Sequence, residues 1–126
     1  MAENKEYLTQ TQEHGNILIS EEVIASIAAL AVREVEGVYG LSANASFDIS
    51  NILGKKNLRN GIRVRIQEEQ VEISCNLVVK MGCAVMEVAR NVQEAISNEV
   101  ASMTGVRPAQ VNVNVCGVAV AKPTVK

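Results

Sequence analysis

Residues 61–81 read GIRVRIQEEQVEISCNLVVKM, and no other part of the chain constrains its own shape so tightly. Ile62, Val64 and Ile66 alternate with Arg63, Arg65 and Gln67, the period-two signature of a strand with one buried face. Val71, Ile73, Cys75, Leu77, Val79 and Met81 continue that period beyond Gln67-Glu68-Glu69-Gln70. A turn centred on Glu68-Glu69 sets Ile66 opposite Val71, Val64 opposite Ile73 and Ile62 opposite Cys75. It also sets Arg65 opposite Glu72, a favourable cross-strand pair. One register therefore satisfies both faces, while a slip of one residue would invert every side chain. Glu-Glu is a poor two-residue turn, since both positions of the favoured turn need positive φ. The faces, not the turn, specify this hairpin.

Working outward, Gly82 ends the second strand and precedes a helical pattern. Val85, Val88, Val92, Ile96, Val100 and Met103 recur every three or four residues, with Ala89 and Ala95 beside them, and Gly105 closes the helix. Past Pro108, Val111, Val113 and Val115 alternate with Asn112, Asn114 and Cys116, and Val118 and Val120 extend the strand past Gly117. Upstream, Asn16 to Ile19 is a short apolar strand. Ser20 offers an N-cap, and Glu21 and Glu22 suit the positive helix end. Val23, Ile27, Ala31 and Val35, beside Ile24, Ala28 and Val32, make a wide apolar stripe of about four turns. Gly37 is read as the left-handed residue ending this helix, with Val38 and Tyr39 folding back on its apolar side.

The order is strand, helix, loop, strand, strand, helix, strand, the split β-α-β-β-α-β arrangement. We expect an α/β (α+β) two-layer sandwich, two helices on one face of a mainly antiparallel sheet. The uncovered face would carry Arg63, Arg65, Glu72, Ser74, Asn76, Lys80, Asn112 and Asn114. Residues 1–14 read as a flexible polar arm, 15–120 as a single domain and 121–126 as a frayed tail. Residues 40–60 read as a long loop with a short apolar knot at Ile49, Ile52 and Leu53.

Composition narrows the function. With 48% hydrophobic residues but only 2% aromatic, the core must be aliphatic. A formal net charge of −2 gives no global attraction for nucleic acid or an anionic membrane. The longest apolar run, Ile27 to Val32, falls far short of the roughly 20 residues of a membrane span, and the polar N-terminus lacks a signal peptide's apolar stretch. We therefore expect a cytoplasmic protein. Cys75, Cys83 and Cys116 are odd in number and without C-x-x-C spacing, which suits reduced thiols at core or boundary positions.

The sequence nominates no catalytic, cofactor-binding or metal-binding residue. The one histidine, His14, lies in the polar arm, and Asp48 is the one aspartate. No Walker loop, G-x-G-x-x-G or H-E-x-x-H is present. Gly37-Val38-Tyr39-Gly40 is a literal G-x-x-G, a pattern that clamps phosphates in one RNA-binding module. Here Glu34 and Glu36 precede it and would repel phosphate, so we read it as a helix end. What the sequence does offer is a candidate interaction surface. Lys55, Lys56 and Arg59 with Arg63 and Arg65 form a basic patch, and Val78 is an apolar residue on the open sheet face. Self-association through a sheet edge or that face is the reading this favours. The alternative is a nucleic-acid-binding regulator using the patch from Lys55 to Arg65, although the sheet lacks the aromatics on which such domains stack bases.

The succession GNILISEEVIASIAALAVREVEGVYGLS, LGKKNLRNGIRVRI and VEISCNLVVKMGCAVMEVARNVQEAISNEVASMTGVRPAQVNVNVCGV resembles the alkaline-shock protein family of Gram-positive bacteria, also called general-stress or envelope-stress response proteins. The resemblance covers about residues 15–118. It rests on the I-x-I-S opening strand, the helix ending in E-G-V-x-G-L, the V-A-R-x-V-Q-x-x-I helix before M-T-G, and the V-N-V-x-V-x-G-V strand. It implies a non-catalytic, cytoplasmic interaction or scaffold protein of cell-envelope stress or lipid homeostasis. It also implies membrane association through a small membrane-anchored partner, with no direct membrane insertion and no cofactor. The family has no agreed catalytic residues to carry over.

Overall fold

The computed structural model describes residues 7–42 and 61–120. Its elements are β1 (Tyr7–Gln12), β2 (Gly15–Ser20), α1 (Glu21–Arg33), β3 (Val38–Leu41), β4 (Ile62–Gln67), β5 (Gln70–Lys80), α2 (Val85–Thr104) and β6 (Gln110–Ala119). The class is α+β, as the patterning predicts. The tail at 121–126 and the basic residues Lys55, Lys56 and Arg59 lie outside the described residues.

The β4–β5 hairpin has the expected register throughout, from Ile62 opposite Cys75 to Gln67 opposite Gln70, with Arg65 opposite Glu72. Glu68 and Glu69 adopt φ of 53° and 68°. Both positions of the tight turn are thus left-handed, as a two-residue connection between right-twisted strands demands. The facing strands impose that geometry on residues with little preference for it.

β5 is the spine of a four-stranded sheet. β4 pairs antiparallel with residues 70–75 of β5, and β3 pairs antiparallel with residues 77–79. These two strands therefore lie end to end along one edge of β5. β6 runs parallel along the other edge, from Glu72 opposite Gln110 to Lys80 opposite Ala119. Between Leu77 and Val78 the register shifts by one residue, making Cys116 a bulge.

Every second residue of β4 and β5 faces the helices. Ile62, Ile73, Cys75, Leu77 and Val79 are fully buried, together with Ile24 and Val32 of α1 and Val92, Ile96 and Val100 of α2. Each large aliphatic side chain buried in this way contributes about 1.5–3 kcal/mol relative to exposure. The core is closed by aliphatic contact alone, and no polar side chain among the described residues is buried in it.

The helix ends follow local chemistry, with one departure. The Ser20 hydroxyl accepts from the Val23 N–H at 3.4 Å, and Gly105 caps α2 at φ 85°, its N–H donating to the Ala101 carbonyl at 2.9 Å. Gly37 does not cap α1. The helix stops at Glu34, whose right-handed backbone lets its N–H reach the Ala31 carbonyl at 3.2 Å. Gly37 does have φ of 96°, but it serves a later bend. A Cβ there would lie 2.6 Å from Cγ2 of Val88 on α2. The backbone passes this close to α2 because nothing projects from it.

Further expectations are corrected. Val38 packs against the core as expected, but Tyr39 does not fold back on α1. The two residues begin β3, with Tyr39 bulged outward and 66% exposed. From Tyr7 onward the supposed polar arm is a strand, paired with β2 from Tyr7 opposite Ser20 to Gln12 opposite Gly15. Leu8 is 2% exposed and joins the core, and the Gln10 side-chain amide donates to the Thr104 carbonyl at 3.0 Å. Leu8, with Ile19 of β2 packed against the same core, and the Gln10 anchor to the end of α2 hold this hairpin in place. It forms its own two-stranded sheet, so the opening strand expected at 16–19 belongs to that sheet. Val23 also leaves the apolar stripe: it is 47% exposed, while Ala25 and Ala29 are buried in its place.

Candidate interaction surfaces

The sheet face away from the helices carries the outward half of each strand's alternation. Glu72, Ser74, Asn76 and Val78 of β5 are half-buried, while Arg63, Arg65, Asn112 and Asn114 are exposed on flanking strands. Asn114 donates through Nδ2 to Oδ1 of Asn76 at 3.1 Å, a side-chain rung between paired residues. Arg65 Nη1 lies 3.6 Å from Glu72 Oε1. With both side chains substantially solvated, such a pair contributes little stability, but it offsets the positive charge of β4. A depression of about 380 Å³ is lined there by Glu21, Arg63, Val64, Arg65, Glu72 and Ser74. It mixes both signs of charge and shows no uniformly basic track.

Of the candidate residues, Arg63 and Arg65 stand together on β4. Val78 lies in the other half of β5, opposite Gly40 and Gly117. Its methyl groups come within about 4 Å of where a Gly117 side chain would begin, so Val78 roofs the space left by that glycine. The structure does not join it to the two arginines.

Sequence reasoning passed over a second kind of surface. Met81 is 61% exposed, Met86 66%, Val118 45% and Val120 65%. The Met81 N–H donates to the Ala119 carbonyl at 3.0 Å, which sets Met81 beside the end of β6, just before α2 starts. Met81 continues the period-two pattern of β5, so the sequence places it in a strand and cannot show that the strand has ended. Apolar side chains gathered at one end of a domain mark a contact surface more often than scattered ones do.

The three thiols occupy different settings. Cys75 is fully buried, and burial, reinforced by the charge of Cys116, pushes its pKa from 9.0 up to about 12. Cys83 is half-buried, with Sγ 2.9 Å from the Lys80 carbonyl, and Cys116 is exposed on the bulge. The thiolate is the reactive form. A thiol reagent at pH 8 is therefore expected to modify Cys116 first and Cys83 more slowly, sparing Cys75 until denaturant is added. Mass spectrometry of timed samples reads this, and early modification of Cys75 would contradict it. Because folding raises the Cys75 pKa, the associated stability is present below pH 9 and is lost as pH climbs toward 12.

Among the described residues no three His, Cys, Asp or Glu side chains converge as a metal cluster, and no helix is long and apolar enough to cross a membrane.

Comparison with known proteins places this architecture. Residues 9–120 match a family described by its cell envelope-related function. YloU of Bacillus subtilis (strain 168) is 34% identical over 113 residues, covering 88% of this chain and 94% of its own. The stress response regulator gls24 homolog of Streptococcus pyogenes is 24% identical over 102 residues, covering 80% of this chain and 57% of its own. Among solved structures, a MamM CTD aligns at a TM-score of 0.46 with 17% identity, covering 80% of this chain and 95% of that domain. With most of its length matched, the chain belongs to the alkaline-shock protein 23 family, whose function is cell envelope-related.

Proposed function

We propose that this protein is a non-catalytic interaction protein of the cell-envelope stress response, acting through protein contacts at or near the membrane. The observation that carries the reading is the exposure of Met81, Met86, Val118 and Val120 where β5 and β6 end and α2 begins, within a surface that also exposes Leu18, Leu30, Tyr39 and Met103. Such side chains are stabilised by covering them. Family membership supplies the setting, since both the envelope-related description and the stress-regulator relative point there. Association with the membrane would then run through a small membrane-anchored protein.

Fractionation tests this directly. In its native cell the protein is expected to sediment with membranes and to be released by an alkaline wash. The purified protein should not bind phosphatidylglycerol vesicles. Finding it wholly in the soluble fraction overturns the reading, and so does binding of the pure protein to those vesicles. Salt-sensitive retention on nucleic acid also overturns it, because that is the mark of phosphate-driven binding.

A further inference from the structure

β6 forms one border of the four-stranded sheet. It pairs with β5 on one side, and among the described residues no strand pairs with its other side. Its sequence is QVNVNVCGVA, ten residues without a charge or a proline. Borders of natural sheets are usually protected by charged residues, proline, or bulges, because unpaired backbone groups recruit further strands. On the opposite border β4 presents Arg63 and Arg65, and the short β3 is bulged at Tyr39. On β6 the one such device is the bulge at Cys116, which leaves residues 110–115 regular. The Gln93 side chain donates to the Val111 carbonyl at 3.0 Å, and the rest of this regular segment has no such side-chain cover among the described residues.

We propose that this border binds the same border of a second copy, β6 against β6, antiparallel about a two-fold axis at Val113. The inference rests on the reading of the protein as one that works through contacts. Self-complementarity singles out a second copy. A strand meeting itself in reverse must oppose core-side residues to core-side residues. With the axis at Val113, Val113 faces its own counterpart and Val111 faces Val115 of the partner subunit. On the open face Asn112 then faces Asn114 of the partner subunit, repeating the amide rung already formed between Asn76 and Asn114. The same operation on β4, with an axis at Val64, would set Arg63 against an arginine and is repulsive. The interface is isologous and closes at two copies. Above β6, α2 contributes Glu87, Arg90 and Glu94 to one open depression, with Asn91 and Gln93. A second copy therefore meets both signs of charge there.

Two measurements test the proposal without reference to the membrane. Sedimentation equilibrium of the purified chain should give twice the 13.5 kDa chain mass. The double variant Asn112→Lys/Asn114→Lys, whose changes lie on an exposed face, should be a monomer that still unfolds cooperatively, with a melting temperature that no longer rises with protein concentration. In a background of Cys83→Ser and Cys116→Ser, a mixture of Asn112→Cys and Asn114→Cys chains should oxidise to the mixed disulfide dimer. Either variant alone should do so far more slowly. A wild-type monomer at millimolar concentration overturns the proposal. So does a dimer that survives the double lysine change, or a disulfide yield no higher in the mixture than in the single variants. Membrane recruitment could fail with these results intact, so the two readings fail separately.

Discussion

Gly37→Val is expected to lower the stability of the protein by about 3–5 kcal/mol, the sum of a strained left-handed backbone and a forced overlap in the core. Gly37 sits at φ 96°, where a β-branched residue is strongly disfavoured. Its missing Cβ would stand 2.6 Å from a methyl of Val88, which is itself 5% exposed and has nowhere to retreat. Nor can the backbone move aside easily, because the Gly37 carbonyl accepts the Lys80 N–H at 2.9 Å. In a domain of this size the loss corresponds to roughly 15–25 °C in melting temperature. Gly40 is the matched control. It has ordinary φ and open space around the position of a Cβ, so Gly40→Ala should move the melting temperature by only a few degrees. Two similar losses would remove the case for the contact with α2. The milder Gly37→Ala should show positive coupling with Val88→Ala, since the second change removes the methyl groups that obstruct the first.

Leu8→Ala carries the second large effect, about 2–4 kcal/mol, the range for emptying an enclosed leucine site. From the sequence alone the figure would be near zero, since Leu8 sits in a polar stretch and is flanked by Tyr7 and Thr9. In the fold its side chain is 2% exposed and belongs to the main core. Thr9→Ala, a neighbour on the opposite side of the same strand, should cost a small fraction of that. Thermal melts of both variants decide the matter. Equal, negligible shifts would mean that the hairpin of β1 and β2 contributes nothing to the cooperative unit. Should Leu8→Ala act, amide exchange ought to speed up not only within the hairpin but also near Thr104, which Gln10 holds.

The sequence misreads both of these sites, and it succeeds where one element carries independent constraints. The β4–β5 register was legible because each face of the hairpin specifies it independently: apolar residues oppose apolar ones, and Arg65 opposes Glu72. α2 was legible because a 20-residue apolar stripe ends on a glycine that only a left-handed cap explains. β1 was not legible because its strand state comes from pairing with β2 and from one buried leucine, and both are tertiary facts. β3 is four residues long and contains a glycine, too little pattern to outweigh the reading of Gly37 as a helix stop. The surfaces were harder still. Arg63, Arg65 and the asparagines were assigned to the open face by alternation alone, and they lie there. No local pattern, however, tells which strand lies outermost, because that follows from how distant segments dock on β5. The uncharged character of β6 could be read from the start, but it gains meaning only once β6 is known to border the sheet.

The end-to-end placement of β3 and β4 has one more implication. Ser42 donates its N–H to the Asn76 carbonyl at 2.9 Å, and Gly61 lies so near that a Cβ there would be 3.0 Å from the Ser42 oxygen. Ser42 and Gly61 thus stand side by side at a single point on that edge, like the two lips of a buttonhole. Two points fixed that near each other can be bridged by a flexible linker at a cost of only about 0.6 kcal/mol for each doubling of linker length. Joining Ser42 directly to Gly61 through a short glycine linker should therefore leave the stitched edge of β3 and β4 in place.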